Sequence, residues 1–319
     1  MSKFLSKFSS SMLAKVVAPT SYSWLRSLKF QRSSLIALLP LIALVQADGA
    51  IAQRFFDSRN QRSYADLCTN RNSLPAVTRR TVEALLIQAN TANTSVNSPN
   101  SAASPVDCNR AEQALSNSSE ISMIGQGISD LSPLVVLRNV KELNLMGNDI
   151  TDLSPLDSLS TLNTLRLDNN RIIDVSPLRS LTRLRELSLV LNPIRDISSL
   201  SPLTSLTSLY LGENQISDIS ALSSMTRLGE LSLSNNQIRS IAPLRNLRNL
   251  VTLKLNNNQI SDLSPLGGLT NLVSLDVSSN QVRDPSPLRS LSFMQTIFLQ
   301  NNPISNPRCP FNPASICRF

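Results

Sequence analysis

The sequence has no histidine, only 8 glycines and only 4% aromatic residues among its 319 positions. The missing histidine excludes Ser-His-Asp and Cys-His nucleophile pairs and every metal site built on imidazole. The sequence also contains no glycine-rich phosphate-binding loop. Leucine, serine and asparagine fill most of the chain, and this composition favours thin, repeated apolar layers over one thick core.

The net charge of the chain is +8, but its distribution is uneven. Residues 1–52 contain six basic residues and one acidic residue, whereas the remainder contains 24 basic and 21 acidic residues. We therefore interpret the basic excess as a targeting feature and predict no nucleic-acid partner.

Residues 1–52 have the order of a secretory signal peptide. Positions 1–32 are basic and free of acidic residues, an apolar run follows at Leu35–Val45, and the segment ends in Ala50-Ile51-Ala52. Cleavage is predicted before Gln53. The apolar run has eleven residues including Pro40, fewer than the roughly 20 that span a bilayer. We expect export to the cell envelope, the periplasm or the medium, without stable membrane insertion. An uncleaved anchor is the alternative.

Residues 53–117 are predicted to form a small helical cap. Ser73 and Pro75 are typical of a helix start, and apolar side chains at 82, 85 and 86 fall on one face of the stretch 78–90. The stretch 91–105 is small and polar and predicts a loop. Asp107 is placed to cap a second short helix that runs to Leu115.

From residue 118 onward the sequence repeats every 22 residues without insertion or deletion. Aliphatic residues recur three and five positions before one asparagine of each unit, and Ile or Val recurs two positions after it. The eight asparagines are Asn148, Asn170, Asn192, Asn214, Asn236, Asn258, Asn280 and Asn302. An earlier unit has Gln126 at this position. We therefore count about nine units over residues 118–306, a pattern typical of a solenoid.

Each unit predicts one coil of that solenoid. The alternating stretch before the asparagine predicts a short strand with its leucines inward, and successive strands then stack in parallel about 4.8 Å apart. The asparagine amide is expected to bond backbone groups of neighbouring coils. The recurring Asp-Leu-Ser-Pro-Leu sequence predicts a 3₁₀ or single α turn with serine as its cap.

These motifs resemble the leucine-rich repeat family in its short 22-residue form, as in bacterial internalins. The resemblance covers about 190 residues in nine units. It implies an α/β fold: a right-handed, curved solenoid with a parallel sheet on its concave face and short 3₁₀ or α turns on its convex face. It also implies that the concave face binds other molecules, commonly proteins. Pro285, Ser240, Ser199 and Ala221 depart from the pattern, and Pro285 is expected to distort one coil without ending the stack.

The four cysteines lie in pairs at the two ends of the chain. An even number in an exported chain favours disulfides, and three pairings are possible. Because an array of repeats holds the ends apart, Cys68–Cys108 and Cys309–Cys317 are preferred. Residues 307–319 then form a disulfide-closed C-terminal cap. Free thiols or a metal site are the alternative, and the wide spacings disfavour it.

An aspartate also recurs near the outer turn of most units, at 130, 152, 174, 196, 218, 262 and 284. One carboxylate per coil provides too few ligands for calcium. We therefore expect these side chains to accept hydrogen bonds from nearby backbone N–H groups, and we expect neither a metal nor a cofactor.

The outward strand positions differ from unit to unit, and they are the candidate partner-binding positions. Aromatic, arginine and charged side chains there are the types that dominate interface energies. We select Glu142, Arg166, Asp168, Glu186, Tyr210, Glu230, Lys254 and Phe298. The opposing interpretation is a soluble face with scattered large side chains.

The sequence thus predicts a secreted, monomeric, non-enzymatic module that binds a protein partner through its concave sheet. A structural component of the cell envelope is the alternative. An enzyme with its chemistry outside the repeats is a further alternative, and the missing histidines and paired cysteines argue against it.

Overall fold

The computed structural model of the chain describes residues 63–91, 107–305 and 308–319. The predicted signal peptide and most of the predicted polar loop lie outside these ranges. Within them, no helix has the length and apolarity needed to cross a membrane.

Three short helices precede the first strand of the described chain: α1 (Tyr64–Thr69), α2 (Ala76–Thr91) and α3 (Cys108–Asn117), with a 3₁₀ turn at Arg71–Ser73. Asp107 caps α3 by accepting a hydrogen bond from Arg110 N, as expected. The sequence analysis missed α1. This helix is a six-residue segment fixed by a capping box between Ser63 and Asp66, and it is too short to show a helical period.

The helices pack together and against the first coil. Tyr64 Oη donates to Val82 O at 2.8 Å, and a disulfide joins Cys68 to Cys108. Thr81 Oγ1 donates to Asp130 O at 2.7 Å and thereby ties α2 to the coil that follows β1. The helices therefore cover the apolar layer that the first coil would otherwise expose to water.

Ten strands form one parallel sheet in sequence order. They are β1 (Glu120–Ser122), β2 (Glu142–Asn144), β3 (Thr164–Arg166), β4 (Glu186–Ser188), β5 (Ser208–Tyr210), β6 (Glu230–Ser232), β7 (Thr252–Lys254), β8 (Ser274–Asp276), β9 (Thr296–Phe298) and β10 (Cys317–Arg318). From β1 to β9 each residue pairs with the residue 22 positions later. The predicted parallel stacking is confirmed.

The outer side of the stack consists of 3₁₀ turns rather than α-helices. They span Ser132–Val136, Ser154–Leu156, Ser176–Ser180, Ser198–Leu200, Ser220–Ser224, Ala242–Asn246, Ser264–Leu266 and Ser286–Ser290, and Ala314–Ile316 follows in the tail. The leucines of strands and turns are buried in one continuous core. This arrangement is the predicted solenoid, with the sheet on its concave face.

The repeated asparagines lie four residues beyond the ends of β2 to β9, and their side chains are buried or nearly so. Asn170 is representative: its Nδ2 donates to Leu145 O of the preceding coil and to Leu167 O of its own coil, both at 3.0 Å. Its Oδ1 accepts from Ile150 N at 3.1 Å. Each such amide therefore joins two coils and pairs backbone groups that the turn would leave unsatisfied.

An aspartate two residues earlier accepts the first N–H of each outer turn from Ser132–Val136 to Ser286–Ser290 except Ala242–Asn246, where Ser240 accepts it. The prediction that the serine of the Ser-Pro pair caps the turn is wrong. Ser154 N donates to Asp152 Oδ1 at 2.8 Å, and the same contact recurs at Asp262 with Ser264 N. The serine hydroxyl of these turns makes no capping bond to the turn backbone. The carboxylate two residues earlier accepts the hydrogen bond from the serine N–H. The serine hydroxyl donates a second hydrogen bond to the same carboxylate, as Ser264 does to Asp262.

The departures from the repeat leave the stack intact. At Pro285 the turn still forms, with Leu288 N donating to Pro285 O at 3.1 Å and Ser286 N to Asp284 Oδ1 at 2.8 Å. After β9 the tail adds β10, which sequence analysis missed because it lies outside the repeat. Cys317 is bonded to Cys309 and pairs with Ile297 in the sheet.

Candidate functional site

The exposed face of the sheet presents two columns of side chains, one from the first and one from the third residue of each strand. Because the strands are in register, each column runs straight across the sheet. The middle residue of each strand is buried and anchors the strand to the leucine core. The residues of the two columns can therefore vary from strand to strand, whereas the buried residue between them is always leucine or isoleucine.

The third-position column alternates between large and small side chains over five consecutive strands. Arg166, Tyr210 and Lys254 are separated by Ser188 and Ser232. At about 4.8 Å per strand, the large side chains stand about 10 Å apart. The column therefore forms a row of projections with gaps between them, and Phe298, 36% exposed, follows two strands further on.

Two of these projections are braced by glutamates of the first-position column. Arg166 Nη2 lies 2.8 Å from Glu186 Oε1, and Tyr210 Oη donates to Glu230 Oε2 at 2.5 Å. In both pairs the glutamate stands on the next strand, 20 residues later. Diagonal pairs of this kind hold long side chains in a fixed orientation on a sheet.

The environment of Tyr210 changes its acidity. Burial against its neighbours, and then the hydrogen bond to the Glu230 carboxylate, raises the pKa of Tyr210 to about 12. The phenol therefore remains a neutral hydrogen-bond donor at physiological pH. Lys254 and Glu142 are exposed, and neither takes part in a salt bridge within the described part of the chain.

Asp168 differs from the other selected residues because it is buried, with 8% of its surface exposed. It accepts hydrogen bonds from Ser188 Oγ and from Val190 N, the latter at 2.8 Å. Its carboxylate therefore binds the next coil and does not face a partner. We remove Asp168 from the candidate binding residues.

Two exposed apolar side chains beyond the strands were missed by the sequence analysis. Leu191 is 51% exposed and Ile173 is 66% exposed. Leu191 also has a left-handed backbone with φ of 58°. The sequence could have revealed Leu191 as an exception, because the equivalent positions of the other coils share its left-handed backbone and hold polar residues. These are Asn169, Glu213, Asn235, Asn257, Ser279 and Asn301.

The described residues contain no group of three or more Cys, Asp or Glu side chains arranged to hold a metal ion. All four cysteines of the sequence are bonded in pairs, Cys68 with Cys108 and Cys309 with Cys317. The arrangement thus provides polar, aromatic and charged contacts on a rigid surface, with no thiol or imidazole for nucleophilic chemistry.

A family model described as "Leucine Rich repeats (2 copies)" matches residues 138–180, 160–202, 182–224, 204–246, 226–268 and 248–290. No curated protein matches the sequence.

Two crystal structures of internalins from Listeria monocytogenes are similar to this chain. The inlF structure is 33% identical with a TM-score of 0.65, and the match covers 75% of this chain and 66% of that one. The inlC2 structure is 34% identical with a TM-score of 0.61, and the match covers 68% of this chain and 92% of that one.

Proposed function

Because the chain belongs to the internalin-like leucine-rich repeat proteins, we propose that it is an exported, non-enzymatic recognition module that binds a protein through the concave face of its sheet. The observation that carries this proposal is the braced, alternating row formed by Arg166, Tyr210 and Lys254 on strands β3, β5 and β7.

This row has the properties of an interface centre. Arginine and tyrosine dominate binding energies when they are held in place and surrounded by contacts that exclude water. Here Glu186 and Glu230 hold Arg166 and Tyr210, so little side-chain freedom is lost on binding. Glu142 and Phe298 extend the candidate surface toward its two ends.

Export is supported by two separate features. The first 52 residues have the basic, apolar and Ala-x-Ala order of a signal peptide. Two disulfides close the cap and the tail, and structural disulfides of this kind persist in oxidising compartments. We therefore propose the envelope, the periplasm or the medium as the site of action.

The test compares capture of proteins from the extracellular and envelope fractions by the full chain and by two variants. The concave variant carries Tyr210→Ala, Lys254→Ala and Phe298→Ala. The control carries Arg195→Gln, Arg239→Gln and Arg283→Gln, which are exposed positions after β4, β6 and β8, on the post-strand side of the neighbouring coils. A partner retained by the control and lost by the concave variant supports the proposal. A partner retained equally by both variants contradicts it, provided that both unfold at the wild-type urea midpoint.

A further inference from the structure

The charges of the solenoid are strongly segregated. The pre-strand flank is defined here as the seven residues that precede each of β2 to β9, namely 135–141, 157–163, 179–185, 201–207, 223–229, 245–251, 267–273 and 289–295. It contains nine basic residues and one acidic residue, Asp157. The rest of the chain from residue 63 contains twelve basic and nineteen acidic residues. One flank therefore carries +8 in a molecule that is otherwise −7.

All nine basic side chains of the flank are exposed. They are Arg138, Lys141, Arg179, Arg183, Arg185, Arg227, Arg245, Arg248 and Arg289. The two salt bridges of the described chain, Arg166–Glu186 and Arg171–Asp149, lie elsewhere. The positive charge of the flank is therefore not neutralised by direct ion pairs with the protein's own carboxylates.

The flank is a continuous and rigid surface, because its segments are stacked by hydrogen bonds. Arg185 N donates to Asn163 O, and Thr207 N donates to Arg185 O, both at 2.8 Å. Side chains add further bonds, as where Asn249 Nδ2 donates to Thr226 O at 2.8 Å. With about 4.8 Å between coils, the eight segments extend about 34 Å. The nine basic side chains belong to five of the eight segments and are therefore spread along the stack rather than gathered in one compact patch.

The composition of the flank favours phosphate in a polar, chain-like molecule. Eight of the nine basic residues are arginine, whose planar fork binds phosphate oxygens in pairs. The other exposed residues of the flank are mainly serine, threonine, asparagine and glycine. Their hydroxyl, amide and backbone groups can form hydrogen bonds with a polar polymer. Exposed apolar residues occur only singly among these segments, at Val135, Val251 and Phe293, and offer no apolar face for insertion into a bilayer.

We propose that the pre-strand flank binds a linear polymer, other than a nucleic acid, that carries phosphate groups along its length. Phe293 is the one aromatic residue of the flank, so the flank has no row of rings on which bases could stack. The nine basic residues are distinct from the concave-face candidates, although Lys141 and Arg185 directly precede Glu142 and Glu186 in the chain. A polymer that contacts about six of the basic side chains gives a slope of about −4 when the logarithm of the binding constant is plotted against that of the salt concentration.

The test measures binding of end-labelled linear inorganic polyphosphate of defined length to the full chain by fluorescence anisotropy at several salt concentrations. The flank variant carries Arg183→Gln, Arg185→Gln and Arg227→Gln, and the Arg195, Arg239 and Arg283 triple variant described above is the control. Both variants lose three positive charges and both keep the basic residues of positions 1–62, so any difference between them reports the flank alone.

We expect the flank variant to bind at least about tenfold more weakly, with a salt slope lower by about two to three, because each lost phosphate contact removes nearly one unit of slope. The control should stay within about twofold of the wild type. Equal loss in both variants, or no binding by the wild type at low salt, overturns the proposal. So does tighter binding to anionic lipid vesicles or to single-stranded DNA of matched charge.

The outcome is independent of the concave-face proposal. The flank variant keeps Tyr210, Lys254 and Phe298, and the concave variant keeps every basic residue of the flank. Loss of polyphosphate binding in the first variant and loss of protein capture in the second would show two distinct surfaces.

Discussion

Asn214 and Ile194 are joined across two adjacent coils: Ile194 N donates to Asn214 Oδ1 at 3.1 Å. The same amide donates to Leu189 O of the preceding coil at 2.9 Å and to Leu211 O of its own coil at 3.1 Å. One side chain thus satisfies the turn of one coil and fastens it to its neighbour. This relationship recurs along the sheet and is the basis of our first prediction.

Replacement of Asn214 by alanine should lower the free energy of unfolding by about 3 kcal/mol, since buried backbone groups at Leu189 and Ile194 lose their partners. Urea unfolding followed by circular dichroism measures the change. The control is Asn249→Ala: its amide donates to Thr226 O at an exposed position, where water can take its place, and it should cost less than about 1 kcal/mol. Equal losses in the two variants would argue against the buried bonding role.

The outer-turn aspartates predict a loss of stability in acid. Backbone hydrogen bonds from Ser198 and Ser264 lower the pKa of Asp196 and Asp262, and the Ser286 hydroxyl lowers the pKa of Asp284. A carboxyl whose folded pKa lies below its unfolded value of 3.8 stabilises the fold above pH 3.8. That stability disappears as the pH falls through the folded pKa.

We therefore expect the urea midpoint to be constant above about pH 5 and to fall below about pH 4. A variant with Asp196→Asn, Asp262→Asn and Asp284→Asn keeps an acceptor at each turn but cannot titrate. Its midpoint should fall less steeply in acid than that of the wild type. Parallel curves for the two proteins would assign the acid sensitivity to other carboxyls.

Leu191 has a left-handed backbone that is more costly for leucine than for the asparagines at the equivalent positions of other coils. A side chain in the left-handed region costs about 1–2 kcal/mol, and asparagine tolerates that region better than leucine. Leu191→Asn should therefore raise the free energy of unfolding by about 0.5–1 kcal/mol. The reciprocal variant, Asn257→Leu at φ of 56°, should lower it by a similar amount. Changes of the same sign in both variants would contradict this explanation.

The two disulfides should contribute unequally. Cys68 and Cys108 are 40 residues apart, whereas Cys309 and Cys317 are 8 apart. Chain-entropy arguments give about 4 kcal/mol for the longer loop and about 2.5 kcal/mol for the shorter one. Double alanine replacement of each pair, followed by urea unfolding, measures both terms. A larger loss from the tail pair would show that loop length does not set the order.

The repeat frame could be predicted from sequence because packing imposes it identically on every coil. A leucine at each inward position and an asparagine beyond each strand end are required wherever one coil stacks on the next. The parallel sheet, the 3₁₀ turns and the aspartate contacts to backbone N–H groups followed from this requirement. The strand β10 did not, because Cys317 reaches the sheet from outside the repeat.

The orientation of individual side chains on the exposed face was harder to predict. It depends on which residue of the adjacent coil each side chain contacts, and not on its position within the repeat. Asp168 has the same position in its coil as Met146 and Val190, yet it is buried because Ser188 of the next coil donates a hydrogen bond to it.

The charge of the pre-strand flank could not be seen in the net charge of the chain. Net charge sums over the chain, so the aspartates of the outer turns masked the arginines of the flank.

The tail strand has a mechanical consequence for the whole molecule. Hydrogen bonds in this stack run between adjacent coils, so unravelling begins at whichever end is less firmly held. At the carboxyl end, β10 pairs with β9 while Cys317 is fixed to Cys309. The bond closes the tail into one small loop, so the tail leaves the last coil only as a unit, when the hydrogen bonds between β10 and β9 break together.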